Sequence, residues 1–274
     1  MDRFSRRTFA RIAGGSVAAY GAVGTAGCYD TSTSPLAVHR GEGLLEHVGG
    51  GVLMLLPRGH RIEGDCVLGA EPDFDGEGFD ALGVLNTPVA AVHIGASLFV
   101  LEQGGARIQR FEGWQTREVP VARETFGSFG SASGEFASPH DLIAHDDTLY
   151  VADTLNHRVQ ELDTRGRVLR VLGGEGMLNG PRSLDVDVEG NLHVADYDGI
   201  AVFDARGTLR GRYGESLHAS AIRIDDTGIA FVVDSHESTV TRFVDGERIA
   251  SERVEGVHRV SIRDGVHVTL SARA

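Results

Sequence analysis

The feature that most constrains the fold is a repeat of about forty residues. The stretch TPVAAVHIGASLFVLEQGGARIQRF at 87–111 aligns without gaps with SPHDLIAHDDTLYVADTLNHRVQEL at 138–162. Two further copies occupy 180–207 and 220–243, and a shortened copy occupies 256–270. In the four full copies the second apolar run ends in an acidic residue, at positions 102, 153, 196 and 234. A repeat of this length indicates one supersecondary unit copied along the chain.

Each unit has the pattern of four short β-strands. DLIAHDDTLYVAD (141–153) is two apolar runs around an Asp-Asp turn, and RVQELDTRGRVLRVLG (158–173) is a hairpin turned at TRG. No segment beyond residue 30 shows a helical period. Four-stranded units at this spacing predict an all-β fold, a β-propeller with four antiparallel strands in each blade.

The unit count predicts six blades over residues 30–274. Units begin near 87, 138, 180, 219 and 256, and residues 36–70 hold enough apolar alternation for one more. The last unit stops after two strands at Ala274, so we expect residues 30–60 to supply its outer strands. That arrangement would close the ring and remove sheet edges that invite aggregation.

The glycine-rich connectors and the turn motif together resemble a known family. The connector GSFGSASGEFASP and the strand and turn YVADTLNHRVQ (150–160) resemble the NHL repeat. The resemblance implies a six-bladed, NHL/TolB-like propeller. The recurring positions interpreted as scaffold are Pro88, Glu102, Arg107, Pro139, Asp153, Asn156, Pro181, Asp196 and Asp234.

Within the motif at 150–160, three residues are expected to hold the turn together. Asp153 and Asn156 can satisfy the backbone N–H groups of the turn. Arg158 can bridge acidic and carbonyl groups between blades. The motif is therefore interpreted mainly as scaffold.

The N-terminus predicts export. SRRTFAR (5–11) places Arg6 and Arg7 before a weakly apolar stretch and resembles a twin-arginine signal peptide. The stretch ends in TAGC at Cys28, which resembles a lipoprotein box, although Thr25 stands where a larger aliphatic residue is usual. Residues 1–28 are therefore predicted to be a signal peptide, with ordinary cleavage after Ala26 as the alternative.

An acylated Cys28 would make the protein a lipoprotein, held at the membrane by its lipid in the periplasm or at the cell surface. Cys66 is the only other cysteine, so it would then have no disulfide partner. Without acylation, a Cys28–Cys66 disulfide is the sole pairing. The formal net charge of −13 disfavours nucleic-acid binding and favours a basic or neutral partner.

The candidate ligand site lies where the innermost strands begin. The residue after the repeat proline should open the central channel, and it differs between units: Val89, His140, Arg182, Ser220 and His258. A channel mouth is the expected ligand site of a propeller. The predicted ligand-binding residues are His140, Asp141, Arg158, Arg182 and His258. The alternative interpretation is a set of unrelated polar residues at a wet channel end.

One enzyme class shares this pattern. SPHDLIAHDDTLYVADTLNHRVQ (138–160) resembles the peptidyl-α-hydroxyglycine α-amidating lyases, propellers that bind zinc through three channel-mouth histidines. The resemblance implies that His140 would bind zinc and Arg158 would steady substrate charge. However, His218 lies two residues out of register, and His258 falls in a non-alternating unit. The expected tyrosine is missing from EQGGAR (102–107), so no catalytic residue is assigned.

No cofactor is predicted, with zinc at His140 and calcium as the alternatives. DFDGEGFD (73–80) matches the first half of an EF-hand loop, but Val84 stands where a bidentate Glu is needed. The segment also aligns with the connectors, and we interpret it as one. The sequence therefore predicts a non-enzymatic scaffold that binds a protein or peptide through its channel mouth and loops. The alternative function is a metal-dependent lyase or hydrolase.

Overall fold

The computed structural model describes residues 37–40, 44–48, 51–56, 61–63, 82–113, 120–174, 176–263 and 267–272. The predicted signal peptide with Arg6, Arg7 and Cys28, the second cysteine Cys66, and the acidic segment 73–80 all lie outside these residues.

Within the described part of the chain the structure is β-strand and turn, apart from a 3₁₀ turn at Thr154–Asn156. No helix there is long and apolar enough to cross a membrane. The prediction of an all-β fold is confirmed for these residues.

The first eleven strands are β1 (Ala37–Arg40), β2 (Leu44–Val48), β3 (Gly51–Leu56), β4 (Arg61–Glu63), β5 (Pro88–Ile94), β6 (Ser97–Glu102), β7 (Arg107–Glu112), β8 (Val121–Phe126), β9 (Pro139–His145), β10 (Thr148–Asp153) and β11 (Arg158–Asp163). The other eleven are β12 (Val168–Gly173), β13 (Ser183–Val186), β14 (Leu192–Asp196), β15 (Gly199–Phe203), β16 (Leu209–Tyr213), β17 (Ala219–Ile224), β18 (Ala230–Asp234), β19 (Thr239–Val244), β20 (Glu247–Arg253), β21 (Val257–Arg263) and β22 (His267–Ala272).

The described strands form six sheets. Four are antiparallel and four-stranded: β5–β8, β9–β12, β13–β16 and β17–β20. A fifth contains β2, β3 and β4, and the sixth has the order β1-β22-β21. Because β1 pairs with β22, the prediction that residues 30–60 complete the last unit is confirmed for one strand, although the pairing is parallel.

The first strands of the sheets contact one another in succession. The contacts run from β2 to β5, β9, β13, β17 and β21, and from β21 back to β2. Apolar clusters fill the space between successive sheets. Phe99 of β6 and Leu149 of β10 share one cluster, and Val159 of β11 and Phe203 of β15 share the next. From the sheet of β4 to that of β22, each described sheet therefore buries a face against the next.

Four tight hairpin turns are stabilised by an aspartate at the same position in each turn. Asp163, Asp187, Asp204 and Asp225 each accept hydrogen bonds from the backbone N–H groups two and four residues ahead. The third residue after each aspartate is a glycine with φ between 78° and 86°. Such a φ favours glycine over residues with a Cβ. The motif Asp-x-x-Gly-x therefore fixes these four turns.

Candidate functional site

Four of the five aligned residues at the start of the inner strands occupy β-bulges. In β9, Pro139 pairs with Asp153 and Asp141 pairs with Ala152, so His140 is the extra residue. The same register shift leaves Val89, Ser220 and His258 unpaired in β5, β17 and β21. A bulge re-aims a side chain and often lies beside a functional site. In this variable column the bulge therefore displaces every side chain except that of Arg182, whose N–H bonds the Ala195 carbonyl.

His140 is held by two neighbouring groups. Its Nδ1 lies 2.9 Å from the carbonyl oxygen of Ser138 and 2.9 Å from Oγ1 of Thr154. The Ser138 carbonyl can only accept, and the Thr154 hydroxyl donates its proton to the Pro181 carbonyl at 2.6 Å. The proton of neutral His140 therefore belongs on Nδ1, which leaves a lone pair on Nε2.

Burial lowers the pKa of His140, and the positive charges of Arg182 and Arg259 lower it further. The hydrogen bond to Ser138 and the charge of Asp141 oppose this shift without cancelling it. The imidazole is therefore neutral near pH 7, and its Nε2 is a hydrogen-bond acceptor. The Gln103 amide nitrogen lies 3.3 Å from Nδ1 and 3.4 Å from Nε2. Because Nδ1 carries the proton, the amide N–H can donate only to Nε2.

Arg182 directly follows Pro181, whose carbonyl oxygen accepts a hydrogen bond from the Thr154 hydroxyl. Its guanidinium carbon is 5.1 Å from the centroid of the Tyr197 ring, in cation–π geometry. The Nε atom is buried and has no hydrogen-bond partner in the described part of the chain. Among the residues that the structure describes, no carboxylate forms an ion pair with Arg182. A guanidinium with spare donors therefore lies next to the neutral imidazole of His140.

Asp141, the next residue after the bulge, is buried at the centre of a cross-channel network. Its Oδ2 accepts from the Ser183 hydroxyl at 2.8 Å, the Leu184 N–H at 3.0 Å and Arg223 Nη1 at 3.1 Å. Its Oδ1 lies 3.5 Å from Nη2 of Arg259. Burial alone would raise the pKa of this carboxyl, but Arg223 and Arg259 outweigh burial and lower it. Asp141 thus joins β9 to β13, β17 and β21 and has no oxygen directed at solvent.

Asp185 is a second carboxyl in the same network. Its oxygens accept from the N–H groups of Ile224 at 2.6 Å and Val186 at 2.9 Å. Burial raises the pKa of Asp185 to about 6, although Arg223 and these N–H groups act in the opposite direction. The charge balance of the channel therefore changes in the range just below neutral pH.

The structure places Arg158 in the scaffold, away from His140. Its Nε donates to Asp153 at 2.7 Å, and its Nη atoms donate to the carbonyls of Ser131, Ala132 and Glu135. These are bonds to an acidic group and to connector carbonyls, as expected of a bridging residue. Among the described residues Arg158 makes no hydrogen bond or ion pair with His140 or His258, and we leave it out of the ligand site.

The recurring acidic residues hold the connectors in place. Glu102, Asp153, Asp196 and Asp234 are buried, and each accepts the N–H of a residue sixteen or seventeen positions earlier: Asn86, Ala137, Asn179 and His218. Arginines complete three of these sites: Arg107, Arg158 and Arg212. The expectation that Asp153 and Asn156 satisfy the backbone N–H groups of the turn needs correction, because the Asp153 carboxylate accepts the connector N–H of Ala137 and the Asn156 side chain acts as a donor. Asn156 donates to Gly130 O and to Asp153.

The other histidines do not complete a metal site in the described residues. Nδ1 of His258 lies 3.4 Å from the carbonyl of Gly256, the same local contact that His140 makes with Ser138. His218 precedes β17, and its ring packs 5.6 Å from that of His236. No three His, Cys, Asp or Glu side chains gather within metal-binding reach in this part of the chain. The described residues thus supply one ligand, and no more, for a zinc ion at His140.

Several exposed apolar side chains lie together on one side of the molecule, while others lie on the outer strands β8, β12 and β20. One side of the molecule carries the connectors and the turns between the second and third strands of each sheet, and we call it the loop face. At this end of the β9–β12 sheet, Asp153 pairs with both Pro139 and Arg158. Phe129 is 80% exposed and Leu155 is 65% exposed on this face, with Met177 and Tyr197 also exposed. On the turns of the opposite side, Val188 is the one large apolar residue exposed among those described.

Sequence reasoning missed several residues of the site. Arg223 and Arg259 stand inside apolar strands, AIRI and VHRVSI, and their role depends on which strands face one another across the channel. Thr154 and Tyr197 lie in turns whose positions vary between units. Aligning the inner strands column by column, with the bulge allowed for, would have placed Asp141 and Arg259 at equivalent positions.

Comparison with known proteins supports the fold. No protein-family model and no curated protein matches the chain. A streptogramin B lyase structure matches at a TM-score of 0.60 with 12% identity, covering 84% of this chain and 76% of that one. A catalytically inactive variant of virginiamycin B lyase from Staphylococcus aureus with quinupristin matches at 0.61, with 10% identity and coverage of 90% and 81%.

The Pan2 WD40 domain of Neurospora crassa is also similar in structure. It matches at a TM-score of 0.53 with 12% identity, over 65% of this chain and 53% of that one. At such identities the likeness speaks for the fold and not for an activity. Together with the sheets, these matches show that the chain folds as a β-propeller.

Proposed function

We propose that this protein is a binding scaffold, a six-bladed propeller of NHL type that recognises a protein or peptide partner through its loop face and channel mouth. The ring of contacts between the first strands of six sheets supports the blade count. The turn motif at 150–160 supports the NHL assignment. The twin-arginine and lipobox-like motifs support export and a lipid anchor at Cys28, in the periplasm or at the cell surface.

One observation carries the binding role. The exposed apolar residues Phe129, Leu155, Met177 and Tyr197 share a face with the bulged residues and with Arg182, whose guanidinium has no carboxylate partner among the described residues. Exposed apolar groups beside a polar centre are typical of an interaction surface. A protein partner would bury these side chains and leave the opposite face free.

Site-specific photo-crosslinking in cells tests this role. A benzoylphenylalanine at position 155 should give a discrete adduct with one partner, because Leu155 projects from the loop face. The matched control is position 188, since Val188 is exposed to 69% on the opposite side. Equal adducts at both positions, or none at position 155, would contradict binding through the loop face.

Metal analysis of the purified protein distinguishes the lyase alternative from the scaffold proposal. A zinc enzyme would contain about one zinc per chain in purified protein and would lose it in a His140→Ala variant. The described residues bring no second ligand to His140, so we expect zinc far below one per chain in both proteins. Stoichiometric zinc that depends on His140 would overturn the scaffold proposal in favour of the lyase.

A further inference from the structure

We propose that the partner binds to one sector of the loop face and presents a short segment with two or more apolar side chains next to an arginine or lysine. This inference rests on the proposed binding function and adds the place and the chemistry of the contact. The sector consists of two connectors, β8 to β9 and β12 to β13, and two turns, β10 to β11 and β14 to β15. They belong to the successive sheets β9–β12 and β13–β16.

Most of the exposed apolar surface of the loop face lies in this sector. Among the described connectors and loop-face turns, five large apolar side chains are exposed, and the sector holds all of them except Leu82. The same turns of the other sheets are polar or small. Two residues after the buried acidic residue, the β5–β8 sheet has Gly104 and the β17–β20 sheet has His236, where the sector has Leu155. The apolar surface is therefore local to two sheets.

The core does not need the exposed side chains of the two connectors. Each connector already supplies one buried apolar residue, Phe136 at 0% exposure and Leu178 at 2%, which fill the space between sheets. Phe129 and Met177 of the same connectors are left 80% and 41% exposed. Apolar side chains that are gathered on the surface without a packing role indicate an interaction site.

Hydrogen bonds and close packing join the four segments into one surface. The Asn156 side chain donates to the Gly130 carbonyl at 2.9 Å, which ties the first turn to the first connector. The N–H of Gly180 donates to Nδ1 of His157 at 3.1 Å, which ties the same turn to the second connector. The Tyr197 ring of the second turn packs against Gly180. The surface is thus preformed, which reduces the entropy lost on binding.

The outer edge of the sector is acidic. Arg212 donates to the buried Asp196 at 2.8 and 2.9 Å and to the carbonyl of Met177 at 2.7 Å. The bond to Asp196 and the charges of Asp198 and Glu215 raise the pKa of Arg212, so both of these exposed carboxylates act on the guanidinium beside Met177. Asp196 already balances the charge of Arg212. The two exposed carboxylates therefore leave a negative edge that favours a basic group of the partner.

Arg182 restricts where that basic group can lie. It precedes the inner strand β13 and packs on the Tyr197 ring. A second cation on the channel side of the ring would be repelled by Arg182. The arginine or lysine of the partner is therefore expected at the outer edge, beside Met177, with the apolar side chains between that edge and Phe129.

The test is a selection of short random peptides, displayed on phage, against the mature protein. Selected peptides are synthesised with a fluorescent label, and their affinity is measured by anisotropy. We expect them to share two or more apolar residues close to an arginine or lysine. Raising the salt concentration from about 50 mM to about 300 mM should weaken binding about threefold, because the attraction between exposed charges is screened.

Three variants place the contact. Leu155→Ser should weaken the selected peptides about tenfold or more, because an apolar contact at the centre of the sector is lost. Asp198→Asn combined with Glu215→Gln should weaken them about threefold and remove most of the salt dependence. The matched control is Val188→Ser, which removes an exposed apolar group from the opposite side and should change nothing.

Four outcomes would overturn the inference: selected peptides rich in acidic residues, no selected peptide, unchanged affinity in Leu155→Ser, or an equal loss in Val188→Ser. Any of these together with a discrete partner adduct at position 155 would leave the scaffold role intact. The same result without an adduct would contradict the proposed function as well.

Discussion

Replacing Asp141 with Asn is the substitution that most directly probes the cross-channel network. The carboxylate joins β9 to β13, β17 and β21, and the side chain is about 1% exposed. Asn would keep the shape but leave Arg223 and Arg259 without a countercharge. Removing one partner of a buried ion pair costs about 3–5 kcal/mol, and the remaining amide contacts place the expected loss near 3 kcal/mol.

The free energy of unfolding can be measured by urea titration followed by far-UV circular dichroism. The control is Glu112→Gln, which breaks an exposed pair with Arg123 and should cost less than about 1 kcal/mol. The pKa of Asp141 is lowered in the folded protein, so its contribution is present above pH 3.8 and fades as pH falls through the lower folded value. The difference between wild type and Asp141→Asn should therefore be full at pH 7.

A loss at pH 7 no greater than that of Glu112→Gln would refute the reasoning, because the inner strands would then not depend on Asp141. A loss that grew as pH fell below 3.8 would refute it as well. Such a trend would mean that the protonated carboxyl, and not the carboxylate, stabilises the fold.

The remaining predictions concern pH, backbone and anchoring. Because burial raises the pKa of Asp185 to about 6, its ionisation should lower stability by about 2 kcal/mol between pH 4 and pH 7, and Asp185→Asn should remove that slope in urea titrations. Gly180→Ala would place a Cβ 3.0 Å from the Tyr197 ring at φ +62, whereas Gly190→Ala at φ +80 meets nothing, so thermal unfolding should show a larger loss for Gly180→Ala. Cys28→Ser should move the protein from the membrane pellet to the soluble fraction, and continued pelleting would contradict lipid anchoring.

The sequence was enough to predict the strands, turns and scaffold residues, because these depend on local patterns. An acidic residue recurs in each of the four full units, and in each it accepts a hydrogen bond from a connector N–H. The sequence also predicted which residues of the other units are equivalent to His140, because the repeat itself sets the register between units. The β-bulge that displaces this column was not foreseen, because a bulge depends on pairing with the next strand.

The partners of each site residue could not be predicted from the sequence. Arg223 and Arg259 meet Asp141 across 82 and 118 residues of chain, and such contacts follow from how the sheets close around the channel. Arg158 and Arg182 look equally suited to a ligand in the sequence. The structure distinguishes them. Arg158 donates to connector carbonyls, whereas the buried Nε of Arg182 has no acceptor among the described residues.

Cysteine protection in intact cells tests the central claim most directly, namely that the loop face is the binding surface of an exported protein. Single cysteines at positions 155 and 188 in a Cys66→Ser background would be labelled with a membrane-impermeant maleimide. The account predicts that both react in purified protein, and that in cells Leu155→Cys is protected while Val188→Cys is labelled. Equal labelling of both in cells, or protection of Val188→Cys alone, would contradict it.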